Sequence, residues 1–266
     1  MWLVLPFAAL AAAQGQALVL SVPHEPGLTA VTVEWDGARL PFARRGEEWI
    51  TLIGVDLDTE PGSYGAAMRL AFESGTERTL TETITVAPGE YPTTELTVAP
   101  GFVDLSPENE ARAARESRRI AAIYATLTSE MLWTDPFVAP VEGVVGGRNF
   151  GHRRVFNGQP RAPHGGADLR AATGTPIMAA NRGRIVLAEE LFFSGNAVFV
   201  DHGLGLYSVY LHLSRIDVAP GQIIERGQVV GLAGATGRVT GPHLHWGVRI
   251  LDARVDPFTL LTVRGR

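Results

Sequence analysis

Two short segments carry residue types that bind metal ions: His164-Gly165-Gly166-Ala167-Asp168 and Gly241-Pro242-His243-Leu244-His245-Trp246. Imidazole nitrogen and carboxylate oxygen both ligate Zn2+, at about 2.0–2.2 Å. His243 and His245 open the β-prone run that ends at Ile250. On a strand, a period of two puts both imidazoles on one face and Leu244 and Trp246 on the other. The four-residue spacing of His164 and Asp168 would also suit a helix. Gly165 and Gly166 weigh against that and for an extended or looped backbone able to approach a metal closely.

A catalytic zinc site takes three protein ligands and keeps a fourth position for water. His164, Asp168 and one member of the His243/His245 pair would fill the three places, and spacing does not decide which member. The remaining histidine then stands beside the metal, where proton transfer or a developing oxyanion needs a partner. His212, in Tyr210-Leu211-His212-Leu213, is expected on a strand, sharing a face with Tyr210, and offers a second imidazole for the same work. Alone it reads as a buried, hydrogen-bonded histidine; beside the other four positions it reads as part of the site. A serine hydrolase built from Ser208 or Ser214 with His212 is disfavoured, since neither serine has a glycine-flanked nucleophile elbow.

The other candidates read as structural. His202 closes a strand at a turn, and His24 lies in a proline-rich loop. Asp217, Asp252 and Asp256 suit turns and caps. His152 belongs to a polar, glycine-bearing loop, residues 148–158, that either lines a substrate groove or is plain surface.

The elements that must position these residues follow from patterning. From Ala17 to Val86, strands and turns alternate. Val31–Trp35 runs into Asp36-Gly37, a hairpin signal, and Tyr64–Phe72 is separated from Thr79–Val86 by Ser74-Gly75. This predicts an immunoglobulin-like β-sandwich over 17–90. Prolines and glycines from Ala87 to Gly101 predict an extended linker. A helix follows, with Ser106 as N-cap and Pro107 at its first position. Its apolar stripe is Ile120, Ile123, Tyr124, Leu127 and Met131, and its end is expected near Trp133. Linker and helix occupy 91–136. From 137 to 262, short strands recur at Gly183–Glu189, Asn196–Asp201, Leu206–Leu213, Val229–Ala233 and His243–Ile250, predicting a mainly β domain.

The series His-x-Gly-x-Asp, Tyr-x-His-Leu and Gly-Pro-His-Leu-His, in this order, resembles the lysostaphin-type (LytM) zinc metallopeptidases of bacterial cell walls. The likeness runs from about Phe137 to Leu260 and includes Gly174-Thr175-Pro176 and Gly234-Ala235-Thr236-Gly237. It implies an antiparallel β domain with a groove over one sheet, and one zinc per chain held by His164, Asp168 and His245. It also implies catalytic roles for His212 and His243, and hydrolysis of peptidoglycan cross-links or stem peptides. The resemblance implies an alternative role as well, that of a non-catalytic envelope regulator docking to cell-wall amidases, because some relatives lose ligands. Here all five positions are kept.

Composition narrows the partners. The chain has 266 residues, a formal charge of -5 and no long basic run, so nucleic acid is not expected. It has no cysteine, which excludes disulfides, a thiol nucleophile and cysteine-type zinc sites. Met1–Ala13 is apolar, with Ala11-x-Ala13 as a cleavage pattern. It predicts a signal peptide and export to the periplasm or cell envelope, and it is too short to span a membrane. The upstream sandwich and helix are expected to restrict access to the groove.

Overall fold

The computed structural model of the chain describes residues 10–102, 104–134, 136–143 and 147–263. The first eight strands are β1 (Leu10–Ala13), β2 (Ala17–Pro23), β3 (Leu28–Trp35), β4 (Ala38–Pro41), β5 (Ala43–Arg45), β6 (Glu48–Gly54), β7 (Gly62–Phe72) and β8 (Glu77–Ala87). They form a five-stranded sheet ordered β1-β8-β7-β3-β4 and a three-stranded sheet ordered β2-β6-β5. Alternating residues of both sheets, such as Leu20, Val22, Val31, Val33, Met68, Leu70 and Ile84, fill the space between them. Each large aliphatic side chain so buried contributes about 1.5–3 kcal/mol. Asp36 and Gly37 both take positive φ, as a two-residue hairpin turn requires. One edge departs from an antiparallel sandwich: β1 runs parallel to β8, with Ala12 buried. The expected signal peptide lies outside the described residues for positions 1–9, and its last four residues are this strand.

The linker is not a free tether. Thr93–Leu96 forms β9 and runs parallel to β10 (Arg153–Phe156), which pairs on its other side with β11 (Gln159–Arg161). The helix, α1 (Pro107–Tyr124), starts as expected: the Ser106 hydroxyl accepts from the Asn109 N–H, and Glu108 and Glu110 occupy the first turn. It stops well before Trp133. After Ala125 the chain turns its backbone to the neighbouring hairpin instead: the Tyr207 hydroxyl donates to Thr126 O, the Leu204 N–H to Thr128 O, and the Leu132 N–H to His202 O. These long-range bonds outcompete continuation of an apolar stripe that local periodicity carried forward.

The remaining strands are β12 (Gly166–Leu169), β13 (Pro176–Met178), β14 (Gly183–Leu191), β15 (Gly195–Gly203), β16 (Leu206–Leu213), β17 (Arg215–Ile216), β18 (Ile223–Ile224), β19 (Val229–Leu232), β20 (Leu244–Ile250) and β21 (Ala253–Val255), followed by the short helix α2 (Pro257–Leu260). The main sheet is ordered β12-β20-β16-β15-β14-β18, with β21 against β20. One face, carrying Leu244, Trp246, Val248, Ile250, Leu206 and Tyr210, belongs to the largest core. The other carries His245 at one end and, further across, Tyr207, Phe199 and Leu187, on which Tyr124, Ile120 and Ile123 of α1 pack. The fold is thus mainly β, as expected.

The two halves share contacts. Leu52 belongs to the main core of the second half. Arg254, on β21, donates through Nε to Asp56 at 3.0 Å, and its backbone N–H donates to the same carboxylate at 2.7 Å. The sandwich therefore seats against the β20–β21 end of the sheet.

His202 is structural, as its position at a strand end implies. It is fully buried; its Nδ1 stands 2.8 Å from Arg182 O and its Nε2 2.8 Å from the Ser208 hydroxyl, itself 3.0 Å from the Tyr210 hydroxyl. Ser208 is thereby committed to the core, and the Ser214 hydroxyl donates to Ala233 O, which removes both as nucleophiles. Burial depresses His202 from 6.5 to about 4. Below about pH 6.5 the unfolded chain takes up a proton that the folded one refuses, so stability is lost as pH falls from 6.5 towards 4. The expected loss is about 3 kcal/mol at 1.36 kcal/mol per pKa unit. Urea melts at pH 7 and pH 4.5 on the chain and on His202→Gln check this: the variant should show a shallower pH slope, and an unchanged slope would refute it.

Candidate metal centre

Asp168 lies on β12 directly opposite His245 on β20, so the antiparallel register sets carboxylate and imidazole side by side. Burial of Leu244 and Trp246 behind them holds β20 in place. His164 comes from the loop before β12. Its Nε2 stands 2.9 Å from His245 Nδ1 and 3.0 Å from Asp168 Oδ1, and His245 Nδ1 is 3.0 Å from the same oxygen. Three ligand atoms thus form a nearly equilateral triangle, about the size of one face of a tetrahedral zinc shell.

The protonation pattern shows why the triangle suits a cation. Burial holds His164 down at about 4, so its ring is neutral at pH 7. Its Nδ1–H is taken by Asn149 O at 2.9 Å, which leaves the Nε2 lone pair facing a carboxylate oxygen. Burial would raise the Asp168 carboxyl, but the imidazoles of His164, His243 and His245 beside it outweigh that and keep the group ionised. Two acceptors face each other at 3.0 Å, an arrangement that a bound cation resolves. Two imidazoles and one carboxylate fit zinc by donor type as well.

The outer oxygen of Asp168 is also held. Asp168 Oδ2 accepts from Asn149 Nδ2 at 2.9 Å and from Arg154 Nη2 at 2.8 Å, while the Asp168 N–H donates to Asn149 Oδ1. Asn149 thus orients two ligands at once. Sequence reasoning missed it and Arg154, although it had marked the loop containing them as a groove candidate. The partners lie 19 and 14 residues from Asp168, with no local pattern to connect them.

His212 and His243 join the cluster. Their ring centroids are 5.0 Å apart, and His212 is 6.1 Å from His245. His243 sits just before β20, its Nδ1 2.8 Å from Gly241 O and its Nε2 3.6 Å from Asp168 Oδ1. His212 Nδ1 stands 2.9 Å from Thr236 O. Each ring is therefore fixed through Nδ1, leaving Nε2 for a ligand. Burial first, and then His245 and His243, depress His212 to about 3; for His243, burial is outweighed by the Asp168 hydrogen bond and charge, so its pKa is raised.

The expectation that His212 shares a face with Tyr210 does not hold. Tyr210 is buried in the main core, whereas His212 adopts φ 66° and turns to the opposite side. A left-handed non-glycine residue costs on the order of 1–3 kcal/mol. The Thr236 contact and a bond from the His212 N–H to Ser194 O hold it there. Thr236 is fixed in turn, its hydroxyl donating to Leu213 O and accepting from the Asn196 N–H.

The cluster lies between two cavities. One, of about 330 Å³, includes Arg154, Phe156, Arg161, Phe193 and Arg238 in its wall; the other, of about 450 Å³, includes Thr94, Leu96, His152 and Arg170. Among the described residues only the linker strand β9 reaches either cavity from upstream of residue 149, and none of the β-sandwich lines them. His152, whose Nδ1 is 2.8 Å from the Thr94 hydroxyl, lines the second cavity.

Residues 162–257 match peptidase family M23. The crystal structure of a Pseudomonas aeruginosa chain assigned to peptidase M23 is 32% identical, covers 94% of each chain, and superposes with a TM-score of 0.66. The chain belongs to family M23. Among curated relatives, the peptidoglycan DD-endopeptidase ShyA of Vibrio cholerae is 46% identical over 99 residues, 37% of this chain and 23% of its own length. The DD-carboxypeptidase/endopeptidase Mpg of Neisseria meningitidis is 40% identical over 97 residues, 36% of this chain and 22% of its own. The chain thus matches about a quarter of the length of these relatives. No helix among the described residues is long and apolar enough to cross a membrane.

Proposed function

We propose that this M23 chain is a zinc-dependent endopeptidase that cuts peptide cross-links or stem peptides of peptidoglycan. The observation that carries it is the convergence of five side chains on one cleft: a His164, Asp168, His245 triangle at 2.9–3.0 Å, with His212 and His243 beside it. The triangle would hold one zinc, which when bound polarises a carbonyl and lowers the pKa of water to about 7. The other two imidazoles, pinned through Nδ1, present Nε2 to the reacting peptide bond, one to move a proton and one to hydrogen-bond the oxygen that gains charge. Asn149 and Arg154 keep Asp168 aimed. The relatives' names favour a D,D bond as the target.

The supporting result would be about one zinc per purified chain, with release of cross-linked fragments from peptidoglycan that chelation abolishes and zinc restores. Zinc-loaded chain inert on every wall preparation would overturn the proposal in favour of an envelope regulator that acts by docking to amidases. Nothing in the site favours that second reading, because a pure docking module needs none of the five side chains. A peptidoglycan substrate would put the chain in the periplasm or extracellular cell envelope, a reading that the apolar Met1–Ala13 segment supports. Cleavage after Ala13 would remove β1, so the N-terminus of protein recovered from the envelope shows whether that strand persists.

A further inference from the structure

Arg238 lies in the loop that leads to His243, and its guanidinium lies over two phenyl rings. Its Cζ is 4.3 Å from the Phe193 ring centre and 4.8 Å from that of Phe156. A bond from the Arg238 N–H to Phe193 O fixes the backbone, and Glu116 of α1 accepts from the Phe192 N–H, holding the turn that carries Phe193. A guanidinium held over aromatic rings keeps its five N–H donors, and Arg238 lines the cavity beside the metal centre. Among the described residues those donors meet no carboxylate and no hydrogen-bond acceptor.

The surroundings are cationic. Arg154 and Arg161 stand directly opposite each other in the β10–β11 register, a like-charge pairing that costs stability unless something offsets it. Asp168 offsets Arg154, and Arg161 donates to Gln159. Among the described residues no aspartate or glutamate lines this cavity, although the chain as a whole carries a charge of -5. Burial, together with Arg154 and Arg161, holds Arg238 down at about 10, the mark of a cation short of a counter-charge. His164, His212 and His245 line the same cavity.

We propose that this cavity is a carboxylate subsite, in which an anionic group of the peptide lies against the Arg238 guanidinium while a neighbouring peptide bond sits at the His-Asp-His triangle. The proposal rests on the endopeptidase reading and adds a chemical requirement to it: the substrate bears a free carboxylate on one side of the bond that is cut. That carboxylate is either the chain end of a stem peptide or one carried within it.

The test compares matched cross-linked peptides with all carboxylates free, with the chain end amidated, and with the internal carboxylates amidated. One amidation is expected to lower kcat/KM about 10- to 100-fold, the worth of a hydrogen bond to a charged group, and identifies the source. Arg238→Gln should lose the same factor on the free peptide and nothing further on the amidated one, with Arg238→Lys in between. Equal rates on all three peptides, or an Arg238→Gln loss equal on free and amidated substrates, overturns the subsite. Calorimetry with an un-cross-linked stem peptide, free or amidated, reads the same preference without turnover. Absence of any cleavage would therefore sink the endopeptidase reading alone, whereas equal affinities for the two stem peptides would sink the subsite.

Discussion

Alanine at His212 or His243 is expected to lower turnover about 10²- to 10⁴-fold, the range of a lost proton-transfer group, while the chain keeps its zinc. The expectation comes from how the rings are tied. Neither supplies an atom to the triangle, and each is anchored by its own backbone carbonyl, Thr236 O or Gly241 O. Removing either ring leaves Asp168 held by Asn149 and Arg154, and His164 by Asn149 O. His164→Ala or His245→Ala should instead lose metal and activity together. Zinc content measured beside turnover on peptidoglycan separates the two groups. A His212 or His243 variant with full turnover, or one emptied of zinc, would refute the division.

Gly166→Ala is expected to weaken zinc binding at least about tenfold, comparable to losing an orienting partner of a metal ligand, with the fold retained. A Cβ at Gly166 would stand 2.6 Å from His245 Nε2 and 2.6 Å from Trp246 O, so ring or strand must move. The adjacent Gly165 is the control. A Cβ there meets nothing closer than 3.8 Å, and Gly165→Ala should bind zinc normally. Competition with a chelating dye measures both. Equal affinities would show that the His245 ring is not held by the close approach of β12.

The residues of the centre were legible in the sequence because they lie in short motifs. Two of these are strands whose ends the pattern locates well; β16 runs from Leu206 to Leu213 as expected. The sandwich was legible for the same reason, through hairpin turns at Asp36-Gly37 and near Gly75. What stayed hidden is long-range. Asn149 and Arg154 act across more than a dozen residues, β9 pairs with a strand about sixty positions later, and α1 is ended by carbonyls turned towards another hairpin. His212 escaped the period of two because its backbone leaves the β region, a choice imposed by Thr236 and Ser194 rather than by its neighbours in sequence.

The parallel pairing of β9 with β10 bears on where the unit that carries the metal centre begins. The family match starts at residue 162, yet β10 carries Arg154 and takes its outer hydrogen-bonding partner from Thr93–Leu96. A fragment cut at residue 137 would leave β10 as a bare sheet edge beside the metal centre, open to pairing with another molecule. The smallest unit that keeps β10 paired on both sides therefore includes its own linker.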